Sequence, residues 1–262
     1  MSQQLNIELE SIRSLFIEMY FREQKLSSGT GFVCLSPIGP ALITNRHNVT
    51  GRHQETNRPL SSNGGLPDRI RIWHNAAQMG HWVPVDEVLF DANETPLWFE
   101  HPTFGSQADF VALPLTAGHN EVFLHAYDLS APERPLKLGP ADTVSIIGFP
   151  FGLSASGRFA IWVSGFIASE PRVHFNDFPV FLVDCRSRPG QSGSPVVISK
   201  VGGPFVFEDG STGLGTGRLT QFLGIYSGRI HPESDVGMVW HRSAILDMLN
   251  SLMDQRSRVA SI

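Results

Sequence analysis

Cysteine is almost missing from this chain: only Cys34 and Cys185 occur among its 262 residues. That excludes the disulfide framework of a small secreted domain, fits a reducing compartment, and leaves too few thiols for a zinc site. Long apolar runs are also lacking. None approaches the ~20 residues of a membrane span, and the start MSQQLNIELESIR has no basic end followed by an apolar core. The chain therefore reads as cytoplasmic, with no membrane partner. An excess of positive charge is missing too. With 20 Lys and Arg against 25 Asp and Glu the formal net charge is −5, which gives no pull toward phosphate backbones, so nucleic acid is not an expected partner. No H-E-x-x-H or comparable ligand spacing occurs among the histidines, so neither a metal nor another cofactor is expected.

What is abundant is turn-forming residues, with 25 glycines and 18 prolines. Short apolar or alternating runs recur between them: LFIEMYF, GTGFVCL, PALIT, IRIWH, HWVPVDEVLF and DFVALPL in the first half. The second half carries VSIIGFP, AIWVSGFIAS, VFLVDC, SPVVIS, FLGIYSG and GMVWH. Strands at this spacing without helical crossovers predict an all-β fold of closed antiparallel barrels. The expected division is a helical segment over 1–15, a first six-stranded barrel over 16–118 and a connection over 119–135. A second six-stranded barrel follows over 136–241, then a C-terminal helix and tail over 242–262. In the first helix Leu5, Leu9, Ile12 and Leu15 fall at helical spacing, and in the last Ile245, Leu246, Leu249 and Leu252 do so. The stretches 52–67 and 201–218 read as long surface loops. GLGTG within the second has no strand-to-helix setting and is not expected to cradle phosphate.

The strongest local signal is Arg188-Pro189-Gly190-Gln191-Ser192-Gly193-Ser194-Pro195, a small-residue turn between VFLVDC and VVIS. A nucleophilic serine needs such a turn, because glycine lets the backbone tighten around the hydroxyl and leaves room for a carbonyl. Gly190, Gln191 and Ser192 form the expected oxyanion hole, with the N–H groups of Gly190 and Ser192 aimed at one spot. A plain hairpin turn would carry the same residues. The serine needs a base, and His47, in ITNRHNVTG at the mouth of the run PALITN, stands where a side chain can point inward. Asp109, directly before FVALPL, can hold that imidazole in the useful tautomer; alone it could equally cap a turn. Together the three occur in the order His, Asp, Ser, which is the chymotrypsin order.

These segments resemble the trypsin-like peptidases, with the bacterial HtrA type nearest. Gly29-Thr30-Gly31-Phe32 followed by Ile43 to Val49 is similar to that family's G-S-G-F and L-T-N-x-H-V-V. Asp109 to Leu115 resembles D-I-A-L-I-K-L, and Val144 to Leu153 resembles V-x-x-I-G-N-P-F-G-L. Val183 to Pro195 resembles T-D-A-x-I-N-P-G-N-S-G-G-P, with Ser194 in place of the second glycine. The resemblance implies two chymotrypsin-like barrels and a serine endopeptidase acting on peptide or protein substrates through His47, Asp109 and Ser192. No PDZ domain and no zymogen cleavage are expected, since Gln191 stands where activated relatives have aspartate.

By the same resemblance Ser227, Gly228 and Arg229 form the edge strand that pairs with substrate, and Val239 forms a wall of the primary specificity pocket. Arg186, six residues before Ser192, falls near that pocket's floor. Facing inward with Arg229 it would favour acidic residues. Turned outward it would leave Met238 and Val239 to line an apolar pocket. A relative that binds peptides without cutting them, or an acyl hydrolase with the same triad, is the competing reading.

Overall fold

The computed structural model describes residues 7–116 and 121–259. Leu5 and the start of the connection expected from 119 lie outside them. Two antiparallel sheets dominate. The first is built from β1 (Ser14–Phe21), β2 (Gln24–Ser36), β3 (Gly39–Thr44), β4 (Arg69–Ala76), β5 (Trp82–Val88) and β6 (Val111–Pro114). Their order is β5-β4-β1-β2-β3-β6, and a two-residue seventh strand, β7 (Val122–Phe123), is added on β4. Between β5 and β6 the chain closes the gap irregularly: the Leu97 N–H donates to the Leu89 carbonyl and Phe99 pairs with Ala112.

The second sheet is a closed six-stranded barrel. Its strands are β8 (Thr143–Gly148), β9 (Ile161–Ile167), β10 (Val180–Asp184), β11 (Pro195–Val206), β12 (Thr212–Arg229) and β13 (Val236–His241). They follow one another around the barrel as β10-β13-β12-β11-β8-β9. The all-β fold expected from the strand pattern, and the chymotrypsin-like double barrel that the resemblance implied, is the fold observed. Three expectations change. The first sheet has a seventh strand, Val122–Phe123, within the stretch expected as connection. The first helix covers Leu9–Arg13, and Leu15 of the expected helical face lies in β1. Residues 201–218 are not a surface loop but the outer arm of the β11–β12 hairpin, paired from Val201↔Arg218 to Val206↔Thr212 with a register shift at Val201/Gly203. The ladder needs only backbone groups, so a glycine-rich sequence forms it where side-chain pattern gives no warning.

Helices are few: α1 (Leu9–Arg13), α2 (Arg46–Thr50) and α3 (Arg242–Val259). The largest apolar cluster joins both sheets. Phe32, Ile43 and Phe110 of the first half meet Phe222, Ile225 and Trp240 of the second, and α3 seals them with Ile245, Met248, Leu249 and Leu252. Phe110 and Trp240 meet in a tilted arrangement at 5.3 Å between ring centroids, and Phe32 meets Phe222 edge to face at 5.3 Å. Each such side chain contributes about 1.5–3 kcal/mol when fully buried. The two halves are thereby locked in one relative placement, which fixes the groove between them.

No helix among the described residues is long and apolar enough to cross a membrane. Nor do three or more His, Cys, Asp or Glu side chains gather there as a metal site.

Candidate active site

The pairing of β3 with β6 brings two of the candidate residues together. Thr44 stands opposite Val111, so the chain leaving β3 and the chain entering β6 run side by side. The first enters α2, which carries His47; the second carries Asp109, anchored between the fully buried Ala108 and Phe110. The Asn45 side-chain amide fastens the two segments by donating to the Asp109 carbonyl over 2.5 Å. The Asp109 carboxylate, itself buried, grips His47 twice. Its Oδ1 accepts from the His47 backbone N–H at 3.1 Å, and its Oδ2 lies 2.8 Å from Nδ1. The carboxylate places the proton on Nδ1 and leaves Nε2 as the open face of the ring. Burial works to lower the His47 pKa, but the charge and hydrogen bond of Asp109 outweigh it, so the net direction is upward.

Ser192 comes from the other half. Its turn follows β10 and is tied to β12 by two backbone bonds, Gly193 N–H to the Tyr226 carbonyl at 3.0 Å and Tyr226 N–H to the Ser194 carbonyl at 2.9 Å. It is also held from the first sheet. The Thr30 N–H donates to the Ser192 carbonyl at 3.0 Å, and the Thr30 hydroxyl donates to the Gly190 carbonyl at 2.9 Å while accepting from the Phe149 N–H. A chain of polar contacts continues through Thr44, whose hydroxyl donates to the Thr30 carbonyl, to Asn48 on α2 beside His47. Glycine is required at two points here. Gly190 has φ +94 and Gly193 φ +86, and a Cβ would lie 2.4 Å from the Phe149 carbonyl oxygen and 2.0 Å from that of Thr30. His47, Gly190 and Ser192 line one cavity.

Two peptide planes of the turn are pinned by their carbonyls. The Pro189 carbonyl accepts from the Phe151 N–H at 2.6 Å, and the Gln191 carbonyl from the Ser194 N–H at 3.0 Å. Because a trans peptide points its N–H opposite its C=O, the Gly190 and Ser192 N–H groups are turned the other way. Among the described residues neither donates to a protein group. Gln191 differs from expectation: its N–H is spent on the Arg188 carbonyl, and its fully buried side chain accepts from the Arg188 N–H at 2.7 Å. It braces the turn and supplies no donor to the hole.

The specificity residues also need correction. Arg186 and Arg229 are both exposed, which agrees with the outward-turned alternative rather than with two arginines facing a pocket. Val239 is fully buried within the second barrel, packed with Val183, Ile146 and Tyr226. The residue that sequence reasoning missed is Tyr226. Its ring is buried against Gly237, where a Cβ would come within 2.4 Å of it, and its hydroxyl pairs with Ser187, the buried neighbour of Arg186. A glycine inside the strand GMVWH was the available signal of such a close approach. Ser227 is buried and Gly228 half-buried. β11 pairs with β12 only as far as Pro195↔Ile225, so Ser227, Gly228 and Arg229 have β13 on one side and no strand on the other.

Cys34 and Cys185 are both free and buried, and burial raises both thiols, Cys185 to about 11. Cys185 packs in the same cluster as Tyr226 and Val239, and Cys34 in the cluster between the halves.

A β-rich double barrel with a histidine, an aspartate and a serine turn at the seam between its halves defines the chymotrypsin-like class. The sequence itself matches the profile of a trypsin-like peptidase domain over residues 29–202. The chain belongs to that family and is a serine endopeptidase. None of the curated proteins matches it. Among solved structures it is similar to the protease Anisep from Arthrobacter nicotinovorans, at 12% identity and TM-score 0.53, covering 93% of this chain and 96% of that one. It is also similar to a serine endoprotease from Yersinia pestis, at 14% identity and TM-score 0.49 over 96% and 67% of the two chains. The active form of the Rv3671c protease from M. tuberculosis aligns at 19% identity and TM-score 0.46 over 92% and 80%.

Proposed function

We propose that the chain cleaves peptide bonds with Ser192 as nucleophile, His47 as general base and acid, and Asp109 as the group that orients His47. The observation that carries this reading is the double grip of Asp109 on His47, which leaves Nε2 free in the cavity that Ser192 also lines. In the reaction Nε2 takes the Ser192 proton as Oγ bonds to the substrate carbonyl carbon. The carbonyl oxygen becomes an oxyanion held by the Gly190 and Ser192 N–H groups, each such donor worth about 3–4 kcal/mol of barrier. Collapse breaks the C–N bond, His47 gives its proton to the departing amine, and an ester to Ser192 remains. Water then attacks this ester with His47 again taking the proton, and the second collapse releases the acid and restores Ser192. The acyl half of the substrate adds to the open edge at Ser227, Gly228 and Arg229 as an extra strand.

The test is labelling by a fluorophosphonate together with cleavage of casein. Labelling confined to Ser192 and abolished in Ser192→Ala, with peptide turnover down by up to about 10⁶, is the expected result. A wild-type protein that binds peptides but neither labels nor cuts would instead be the idle relative.

A further inference from the structure

The space on the two sides of Ser192 differs. On the acyl side, where the peptide runs along Ser227 and Gly228, the barrel interior is filled by Tyr226. Its ring is 2% exposed, its hydroxyl bonds Ser187, and Gly237 has been kept without a side chain beneath it. Val239, fully buried in the same cluster, adds to that filling. On the opposite side lies an open cavity of about 190 Å³. Its walls come from the first sheet, α2, the loop after α2 and the nucleophile turn, and none comes from β12 or β13. A peptide that places its acyl half on β12 must therefore send its leaving half across this cavity.

The wall chemistry is mainly apolar and carries no charged side chain. Met19, Leu26, Leu60 and Pro67 supply most of the carbon surface, and Ser27, Ser28, Asn48 and Ser61 add neutral polar groups beside His47 and Ser192. No Asp, Glu, Lys or Arg is among the lining residues. A charged side chain entering it would lose water without gaining a partner, whereas an aliphatic one would gain burial. From this we infer that the enzyme selects its cleavage site chiefly by an aliphatic side chain on the residue directly after the scissile bond, and takes only a small residue before it. The inference rests on Ser192 being the nucleophile and names the substrate class of that site.

Two measurements test it. The first uses quenched-fluorescence peptides that differ only at the residue after the cut. One methylene in an apolar pocket is worth roughly 10- to 200-fold, so kcat/KM for Leu, Ile or Met is expected to exceed that for Gly, Asp or Lys by at least about tenfold. The second loads the acyl-enzyme from an ester and offers amino-acid amides as competitors of water. Leucine amide is expected to capture the acyl group at least about tenfold better than glycine amide, since hydrophobic contact in this cavity orients it. Leu60→Asp should reverse the order in favour of Lys. Equal rates across the series, or a spread that appears only on varying the residue before the cut, would overturn the inference while leaving the nucleophile intact. Absence of fluorophosphonate labelling at Ser192 would overturn both.

Discussion

The hydroxyl of Thr30 donates to the carbonyl of Gly190 over 2.9 Å, so a side chain of the first sheet holds the turn that carries Ser192 in the second half. The same hydroxyl accepts from the Phe149 N–H. Thr30→Val keeps the shape and removes both bonds, leaving buried groups unpaired at a cost of about 1–3 kcal/mol. If the bond holds the turn for catalysis, kcat falls by about 10- to 100-fold with KM nearly unchanged, and Thr30→Ser restores it. Steady-state kinetics of the two variants, with melting curves alongside, decide this; a valine variant of full kcat would show that the turn holds itself.

If His47 is the general base proposed above, its raised pKa sets the acid limb of the reaction. Activity requires the neutral ring, so kcat/KM should rise with pH through a midpoint above the ordinary imidazole value of 6.5. The linkage to stability has the opposite sign. A group with a raised folded pKa stabilises fully below its unfolded pKa, and that contribution is lost as pH rises through the folded value. The enzyme thus becomes active as the His47–Asp109 ion pair is given up. In Asp109→Asn burial is left to dominate, so the midpoint should move down while turnover drops by about 10⁴. A pH–rate profile of both proteins checks the direction, and an unmoved midpoint would assign the limb to another group.

Ser194 packs where many relatives of this fold need no side chain, and Gly148 makes room for it. A Cβ on Gly148 would stand 2.0 Å from the Ser194 hydroxyl oxygen and 2.7 Å from that of Thr30. Gly148→Ala should destabilise by about 1–3 kcal/mol through overpacking. Adding Ser194→Gly should recover part of the loss, with the remainder due to Thr30. Urea unfolding of the single and double variants gives the coupling, and simple additivity would mean that the two sites do not share this space.

His241 should make the fold sensitive to acid. Burial, with a smaller push from nearby His174, lowers it to about 4. Between that value and the unfolded imidazole pKa the unfolded chain binds more protons, so stability is lost as pH falls through this window, by at most about 3 kcal/mol. His241→Phe, packed against Phe181, should lose less on going from neutral to mildly acidic buffer. Urea midpoints at the two pH values measure this, and equal losses would place the acid sensitivity elsewhere.

Strand positions were legible because alternation is a local signal. IRIWH became β4 with Ile70 and Ile72 fully buried, and DFVALPL became the approach to β6 and the strand itself. The seam of the site was legible as motifs, since Gly190 and Gly193 mark a turn that only glycine can make. What was not legible depended on which way a side chain turns once neighbours compete for space. Arg186 and Ser187 are adjacent in sequence, yet the barrel buries the small hydroxyl against Tyr226 and leaves the guanidinium in water. Gln191 could have offered its N–H outward, but Arg188 lies within reach of both its backbone and its side chain. The hairpin arm at 201–218 escaped notice because its order lies in backbone pairing.

The apolar cluster shared by both halves and by α3 has a consequence for the time at which this peptidase can first act. Ser192 and His47 sit on opposite halves, and the helix that completes the packing between them contributes Leu249 and Leu252, which follow both in the chain. During synthesis both residues leave the ribosome long before that helix does. A nascent chain therefore carries both candidate residues in an unassembled groove, and the proposed cutting edge closes only when α3 is free to dock.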